Sequence, residues 1–306
     1  MATAPAQDAG KTRFRDTEAA SGLTMISPTA IYAILLLAAP LLAVVIYSFM
    51  TKTPTGVALP LTVDNYVTVW TEVKYRTIMF RSLQVSMIVT LATVALAYPL
   101  AYFISFNVDP AKKSLWLFLV TIPFWTSYLI RVFLWKVVLG YNGVLSSALE
   151  RVCVPWTDIC VLSGPMSFMT DPGSAIVITL AHAYAPFAIL PIFVALEKID
   201  RSYLEAGQDL GESRWTTFLR VTLPLSMPGV IAAVLIVFIP TIGDYVTPTL
   251  IGGGKFPMIA NMIQVEMLKQ NNRPLGSAIA VSAMLIVLVV TLIFLLLNRR
   301  FLRATK

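Results

Sequence analysis

Asp244 is the residue whose chemistry stands out first. It is an ionisable group near the end of a long apolar run. Such groups are costly in lipid and usually face a cavity or a bundle interior. Tyr245 follows it, and Trp125, Tyr128 and Trp135 lie on another apolar run. A carboxylate beside aromatic faces can hold a small organic cation, through charge and through the negative faces of the rings. The plainer alternative is that Asp244 pairs with Arg131 or lies at the headgroup level. Arg131 argues against cation binding, because a fixed positive charge repels a cationic ligand unless it is neutralised. Its other roles are to brace its own segment or to meet another protein. His182 lies inside an apolar run close to Pro186 and Pro191, where a hydrogen bond across helices is the simplest role.

Bond-making chemistry finds little support. Cys153 and Cys160 flank Pro155-Trp156. An oxidising compartment would permit a disulfide that closes a small hairpin there, and two free or buried thiols are the alternative. No Cys/His cluster has the spacing of a metal site. Gly252-Gly253-Gly254-Lys255 looks like part of a phosphate-binding loop. It lacks the first glycine at the offset of GxxxxGK[ST] and the hydroxyl residue after the lysine. It is therefore expected to be a turn, and no cofactor is expected on this chain.

The elements that must position these residues are membrane spans. The 306 residues are 57% hydrophobic and only 13% charged, against roughly 25% charge in a soluble domain. Six runs are long enough to cross about 30 Å of hydrocarbon as helices: 28–49, 82–106, 114–138, 174–196, 228–247 and 275–297. Pro28 suits a first helical turn. Pro99, Pro123, Pro186, Pro191 and Pro240 fall in or near spans, where each removes a helical hydrogen bond and predicts a kink. No cleavable leader is expected: residues 1–24 read as a polar, mobile tail and the first apolar run is long for a signal segment.

The formal charge is +7, yet the basic residues sit at the ends of apolar runs and form no recognition stripe, so nucleic acid is not an expected partner. They act as topology signals instead. Lys112 and Lys113 in a tight turn, and Arg299, Arg300, Arg303 and Lys306 in the tail 299–306, place both termini in the cytoplasm. The segments 50–81 and 140–173 then lie outside, with Glu72, Asp158, Asp171 and Glu266 as outer acidic residues. Each is either a docking contact for a partner protein or, more often for such residues, solvated surface.

Between the fourth and fifth runs, 197–224 is a polar island. Ser202 followed by Glu205 fits a capping box. Leu204, Ala206 and Leu210 give the helix an apolar side, and Gly211 punctuates it. Ser213 caps a second helix through Trp215, Phe218 and Leu219. A compact knob of this kind suits insertion into a groove on a partner, whereas an amphipathic loop lying on the membrane is the bland alternative. The order Glu205-Ala206, then Gly211, then Val221-Thr222-Leu223-Pro224, with nine residues between Gly211 and Val221, resembles the cytoplasmic "EAA" loop of ABC importer permeases.

Further stretches extend the resemblance to the polyamine branch of that family. They are Thr121-Ile122-Pro123-Phe124-Trp125-Thr126-Ser127-Tyr128-Leu129-Ile130-Arg131, Leu139-Gly140-Tyr141-Asn142-Gly143-Val144-Leu145, Pro186-Phe187-Ala188-Ile189-Leu190-Pro191, and Gly243-Asp244-Tyr245-Val246-Thr247-Pro248. The tail before about residue 22 and the insert 153–169 fit it less well.

What the resemblance implies is an all-α, polytopic chain with six transmembrane helices in the type I importer arrangement, its permease domain at 25–298. It implies an inner-membrane subunit that moves a small organic cation, such as putrescine or spermidine, by alternating access. An opine, an amino-acid derivative or a thiamine-like compound is the alternative cargo, and a scaffold without transport is a more distant one. The implied partners are an ABC ATPase dimer holding ATP and Mg, a second related permease subunit and a periplasmic substrate-binding protein. Glu205, Ala206, Gly207, Asp209, Gly211, Leu223 and Pro224 are the implied ATPase-docking positions, and Gly207 stands where an alanine is usual. Asp244, Tyr245, Trp125, Tyr128 and Trp135 are the implied pathway residues.

Overall fold

The computed structural model describes residues 18–54, 56–140, 143–145 and 171–303. Cys153, Cys160 and Asp158 lie outside the described residues, so the disulfide expectation and that acidic contact have no structural counterpart here. The chain is built almost wholly of helix. A two-stranded antiparallel hairpin, Thr51–Thr53 against Gly56–Ala58, is the exception to the all-α expectation.

The helices in chain order are α1 (Glu18–Ser48), α2 (Asp64–Thr71), α3 (Val73–Phe106), α4 (Pro110–Thr121), α5 (Tyr128–Val138), α6 (Pro172–Glu197), α7 (Arg201–Asp209), α8 (Arg214–Thr217), α9 (Leu223–Ile242), α10 (Val246–Leu250), α11 (Ile259–Gln264), α12 (Arg273–Leu297) and α13 (Arg299–Arg303). Among the described residues, five stretches are long and apolar enough to cross a membrane: Met25–Ser48, Val73–Phe106, Pro172–Glu197, Arg214–Ile242 and Arg273–Leu297. α1 begins inside the stretch expected to be tail.

The third expected span is not one straight helix. α4 runs into a short 3₁₀ turn, Ile122–Trp125, and the chain then turns by 87° into α5. Pro123 sits in the first turn of the 3₁₀ segment, and Thr126 and Ser127 adopt extended backbone. That corner leaves main-chain groups without helical partners, and side chains must satisfy them.

Local chemistry sets the helix starts. Asp109 Oδ1 accepts the Ala111 N–H at 2.9 Å with Pro110 following. Asp171 Oδ2 accepts the Ser174 N–H at 3.3 Å with Pro172 following. An Asx cap before proline satisfies one orphan donor where the next residue has none to offer. Asp171 is thus occupied as a cap.

Two packed clusters hold the bundle. α3, α6 and α9 bury Val89, Ala101, Ile104, Leu180, Ile192, Leu196, Ala233 and Val237 against one another. The second cluster ties α2 and the start of α3 to α9, α11 and α12 through Val69, Ile78, Phe238, Ile259, Met262 and Ile279. Gly229 lets α9 cross α6 closely, because a Cβ there would meet Ala195 Cβ and the Pro191 carbonyl at 2.5 Å. Small residues are how membrane helices approach this closely. α1 lies outside against α12, and most of its large side chains, such as Ile34, Leu37 and Leu42, are exposed. Hydrocarbon, not water, is the solvent such a surface fits.

Candidate functional site

Two separate places gather the residues that the sequence singled out, the polar island at one end of the bundle and a corner beside the middle of α6. α7 begins at Asp200, whose Oδ1 accepts the Ser202 N–H at 3.0 Å. That bond holds the Asp200 carboxyl below the ordinary aspartate range. The cap expected at Ser202 is therefore displaced by two residues, because a carboxylate is at least as good an acceptor as a hydroxyl at this position.

The other end of α7 closes on Gly211. Its N–H donates to the Gln208 carbonyl at 2.9 Å, and the Glu212 N–H donates to the Gly207 carbonyl at 3.1 Å. This pair of bonds is the Schellman arrangement, which needs a left-handed residue at the turn. Gly211 supplies it with φ +80°. Ser213 then caps α8 as expected, its Oγ accepting the Thr216 N–H at 3.2 Å. α8 does not stop. It passes through a π-turn, Phe218–Thr222, directly into α9.

The expected docking positions separate into two groups. Glu205, Ala206, Asp209 and Gly211 are exposed. Gly207 faces Thr217 inside the knob, while Leu223 and Pro224 are half-buried in the first turn of α9. Tyr203, Ala206 and Leu210, at spacing i, i+3 and i+7, form an outward apolar stripe, and Leu210 is 85% exposed. Leu204, expected on that stripe, turns inward onto the core instead. Trp215 is also exposed and stacks on Phe218, whose ring also meets Tyr98 and Tyr102 in T-shaped contacts. The knob is anchored from behind by Glu197. Its Oε1 accepts from Ser105 Oγ and from Lys113 Nζ, both at 2.6 Å, and so joins the ends of α3, α4 and α6.

The second place is the corner between α4 and α5. A cavity of about 470 Å³ lies there, walled by Phe124, Trp125, Tyr128, Tyr184 and Phe187, with Arg131 among its lining residues. Tyr128 Oη donates to Asp244 Oδ2 at 2.8 Å and also lies 2.8 Å from Thr247 Oγ1. The other carboxylate oxygen of Asp244 accepts the Val246 N–H at 3.0 Å and the Thr247 N–H at 3.4 Å, which caps α10. Asp244 is buried and forms no ion pair with Arg131.

Arg131 braces its own corner. Its NH1 donates to the Ala183 carbonyl at 3.2 Å and its NH2 to the Thr126 carbonyl at 3.0 Å, and the buried Nε has no partner. The exposed backbone of the broken segment is thereby pinned to α6. Trp135 lies off the cavity, its Nε1 donating to His182 Nδ1 at 3.1 Å, so His182 does bond across helices. Tyr245 is also off the cavity and half exposed.

Sequence reasoning missed several of these residues. Tyr184 and Phe187 line the cavity, and their i, i+3 spacing on α6 was available as a signal. Glu266, expected among surface acids, is 1% exposed and accepts from Tyr75 Oη at 3.0 Å. Nothing in its neighbourhood in the sequence signalled that burial. The Gly252–Lys255 stretch is a turn as expected, with Gly253 and Gly254 at φ +55° and +81°.

A polytopic helical bundle, with a capped knob protruding between two of its spans and an aromatic cavity beside its broken segment, is the build of a transport-system membrane subunit. The chain belongs to the family described as the binding-protein-dependent transport system inner membrane component, which matches residues 23–303. It is 38% identical over 268 residues to the spermidine/putrescine transport system permease protein PotB of Haemophilus influenzae, covering 85% of this chain and 90% of that one. It is 34% identical over 256 residues to PotB of Escherichia coli, covering 83% and 90%. A crystal structure of a bacterial alginate ABC transporter, in complex with an alginate pentasaccharide-bound periplasmic protein, contains a chain of the same fold. Its TM-score is 0.71 at 18% identity, over 94% of this chain and 98% of that one.

Proposed function

We propose that this chain is a permease subunit of an ATP-driven importer in the bacterial inner membrane and that its cargo is a polyamine such as putrescine or spermidine. The helix pair α4–α5 counts as the sixth span, bent at the cavity, and both termini face the cytoplasm. On this reading residues 25–298 form the permease domain, flanked by the tail 1–24 and the basic tail 299–306. The loop 197–224 is cytoplasmic and the loop 140–173 is periplasmic.

The observation that carries the proposal is the knob. α7 presents Tyr203, Glu205, Ala206, Asp209 and Leu210 outward, with nothing else in the described chain covering them. An apolar stripe flanked by carboxylates, held by two caps and continuous with a span, suits a groove on an ATPase subunit. Movement of that subunit reaches α9 without crossing a flexible linker. The ATPase dimer holds ATP and Mg, so this chain performs no bond chemistry. A second related permease completes the pathway, and a periplasmic binding protein delivers cargo.

Cargo preference follows from the relatives, whose names specify spermidine and putrescine transport. The aromatic walls at Trp125, Tyr128 and Tyr184 suit an ammonium group, and Asp244 supplies negative charge through Tyr128. One feature favours a second reading of the cargo. Arg131, a cation among the lining residues of the cavity, suits a carboxylate on the same molecule, as in an opine or an amino-acid derivative.

The test is reconstitution in proteoliposomes with the ATPase, the second permease and the binding protein. ATP hydrolysis and uptake stimulated by putrescine or spermidine are the expected result. Stimulation only by an amino carboxylate selects the second cargo. An ATPase that neither binds this chain nor responds to any delivered cargo refutes the permease assignment.

A further inference from the structure

The knob contains one contact with no spare room. A Cβ on Gly207 would lie 3.1 Å from Thr217 Cγ2 and 3.2 Å from Thr217 Oγ1. Thr217 is itself 2% exposed, and its Oγ1 donates to the Ser213 carbonyl at 3.1 Å. It is the buried side chain of α8, so it cannot swing away without losing both its packing and that bond. The Gly207 carbonyl also receives the Glu212 N–H that closes the Schellman turn. Position 207 therefore fixes α7 in two ways, through its carbonyl and through its bare Cα against Thr217. The remaining polar tie across the turn is Glu212 with Arg220 at 2.7 Å. That pair is exposed, and exposed pairs contribute little.

Thr217 stands immediately before the π-turn Phe218–Thr222, and α9 follows without a break. A push on α7 thus meets the start of the fifth-span helix at Thr217. We propose that Gly207 and Thr217 are a matched small–large pair that transmits displacement of the docking helix into α9, and that their combined size sets how much cargo moves per ATP hydrolysed. The proposal rests on the docking reading above. Both are positioning residues: Gly207, although among the positions the resemblance implies for docking, faces Thr217 inside the knob, and neither lines the aromatic cavity. Their exchange is internal to the knob, and the stripe at Tyr203, Ala206 and Leu210 remains available to a partner.

The experiment compares Gly207→Ala, Thr217→Ala and the double variant in the reconstituted complex. Thr217→Ser in the Gly207→Ala background serves as a milder partner, because it removes Cγ2 and keeps the hydroxyl bond. Three quantities are measured: retention of the ATPase on affinity-purified complex, ATP hydrolysis, and uptake. Retention is expected to stay within about twofold for every variant. Uptake per ATP is expected to fall roughly threefold or more in Gly207→Ala and to recover by at least half when Thr217 is also reduced, as residues in contact couple energetically. Unchanged uptake per ATP in Gly207→Ala overturns the proposal, and so does a failure of both Thr217 changes to restore it. Loss of ATPase retention by Gly207→Ala alone also overturns it, because position 207 would then belong to the docking surface. An unmutated chain that retains no ATPase overturns the docking reading first and this proposal with it.

Discussion

Replacing Gly211 separates backbone strain from side-chain bulk at the knob. The residue has φ +80°, and a Cβ built on it meets nothing within 4 Å. A side chain there causes no clash inside the chain. It does force an L-residue into the left-handed region, which costs about 1–2 kcal/mol, or roughly a 5- to 30-fold smaller equilibrium constant for closing the turn. Asparagine tolerates that region better than alanine, and a β-branched residue tolerates it least. The affinity of the purified ATPase for this chain in nanodiscs should therefore fall in the order Gly211, Gly211→Asn, Gly211→Ala, Gly211→Val. The alanine variant should lose affinity, by up to about 30-fold, if binding requires the closed turn. Helix content and thermal stability of the bundle should stay unchanged, because α9 has its own packing on α6. Equal affinities across the series would refute the argument from φ. An asparagine variant as weak as the valine one would show that bulk against the partner, not the turn, decides the loss.

Asp244→Asn keeps its one carbonyl oxygen as the cap for α10 and turns an NH2 donor toward Tyr128, whose hydroxyl can accept it and donate to Thr247 instead, whereas Asp244→Ala loses both contacts; the alanine variant should cost about 0.5–2 kcal/mol of stability from the cap alone. Should the asparagine variant retain wild-type apparent affinity for putrescine or spermidine, the carboxylate charge has no part in cargo binding. Lys113→Met and Glu197→Gln should each destabilise the chain by about 1 kcal/mol, discounted because Glu197 is 36% exposed. A double variant whose cost equals the two single costs added would dismiss the pair as an interaction. Gly229→Ala should cost about 1–3 kcal/mol from overpacking at the α6–α9 crossing. Ala195→Gly should not rescue it, because the Pro191 carbonyl stands equally close; full recovery in the thermal unfolding of the double variant would contradict that geometry.

Apolar run length located the long helices to within a few residues at α6 and α12, where an Asx-Pro or Asn-x-Pro start marks one end. It failed at α3, which extends nine residues before Ser82. Lys74, Arg76 and Arg81 end the apolar run there but do not end the helix, because an exposed turn accepts charge. At 34 residues α3 is about 51 Å long, well beyond the hydrocarbon. The break at Thr126–Ser127 was half legible. Pro123 signalled a disturbance, but prolines 99, 186, 191 and 240 lie inside continuous helices, so a proline alone does not distinguish a break from a tolerated kink. The corner depends on Arg131 reaching Ala183 on another helix, a tertiary fact without a local signature.

At the knob, the Gly211 turn and the Ser213 cap could be read from spacing. Asp200 was overlooked as a cap because Ser202 with Glu205 matched a more elaborate pattern. Gly207 looked like a loosened alanine position. The reason for it, Thr217, lies ten residues further along and on the next helix. The buried state of Glu266 rests on Tyr75, which is likewise distant in the chain.

The π-turn at Phe218–Thr222 gives the join between knob and span one residue of slack. A π-turn accommodates one residue more than the α-helical ladder needs. Deleting one residue there would return the stretch to ordinary helix with little change in direction, because the turn already absorbs that residue, whereas deleting one from the α-helical part of the join would turn everything before it by about 100° and draw it in by about 1.5 Å. The buried face of α9 and the outward stripe of α7 would each keep their own sequence and fold, yet they would point in different relative directions. Two chains of this kind could carry the same knob and the same span and still fail to exchange motors. When such loops are swapped, the residue count from the Gly211 turn to Leu223 must be preserved, to within the one residue the π-turn absorbs, together with the residues themselves.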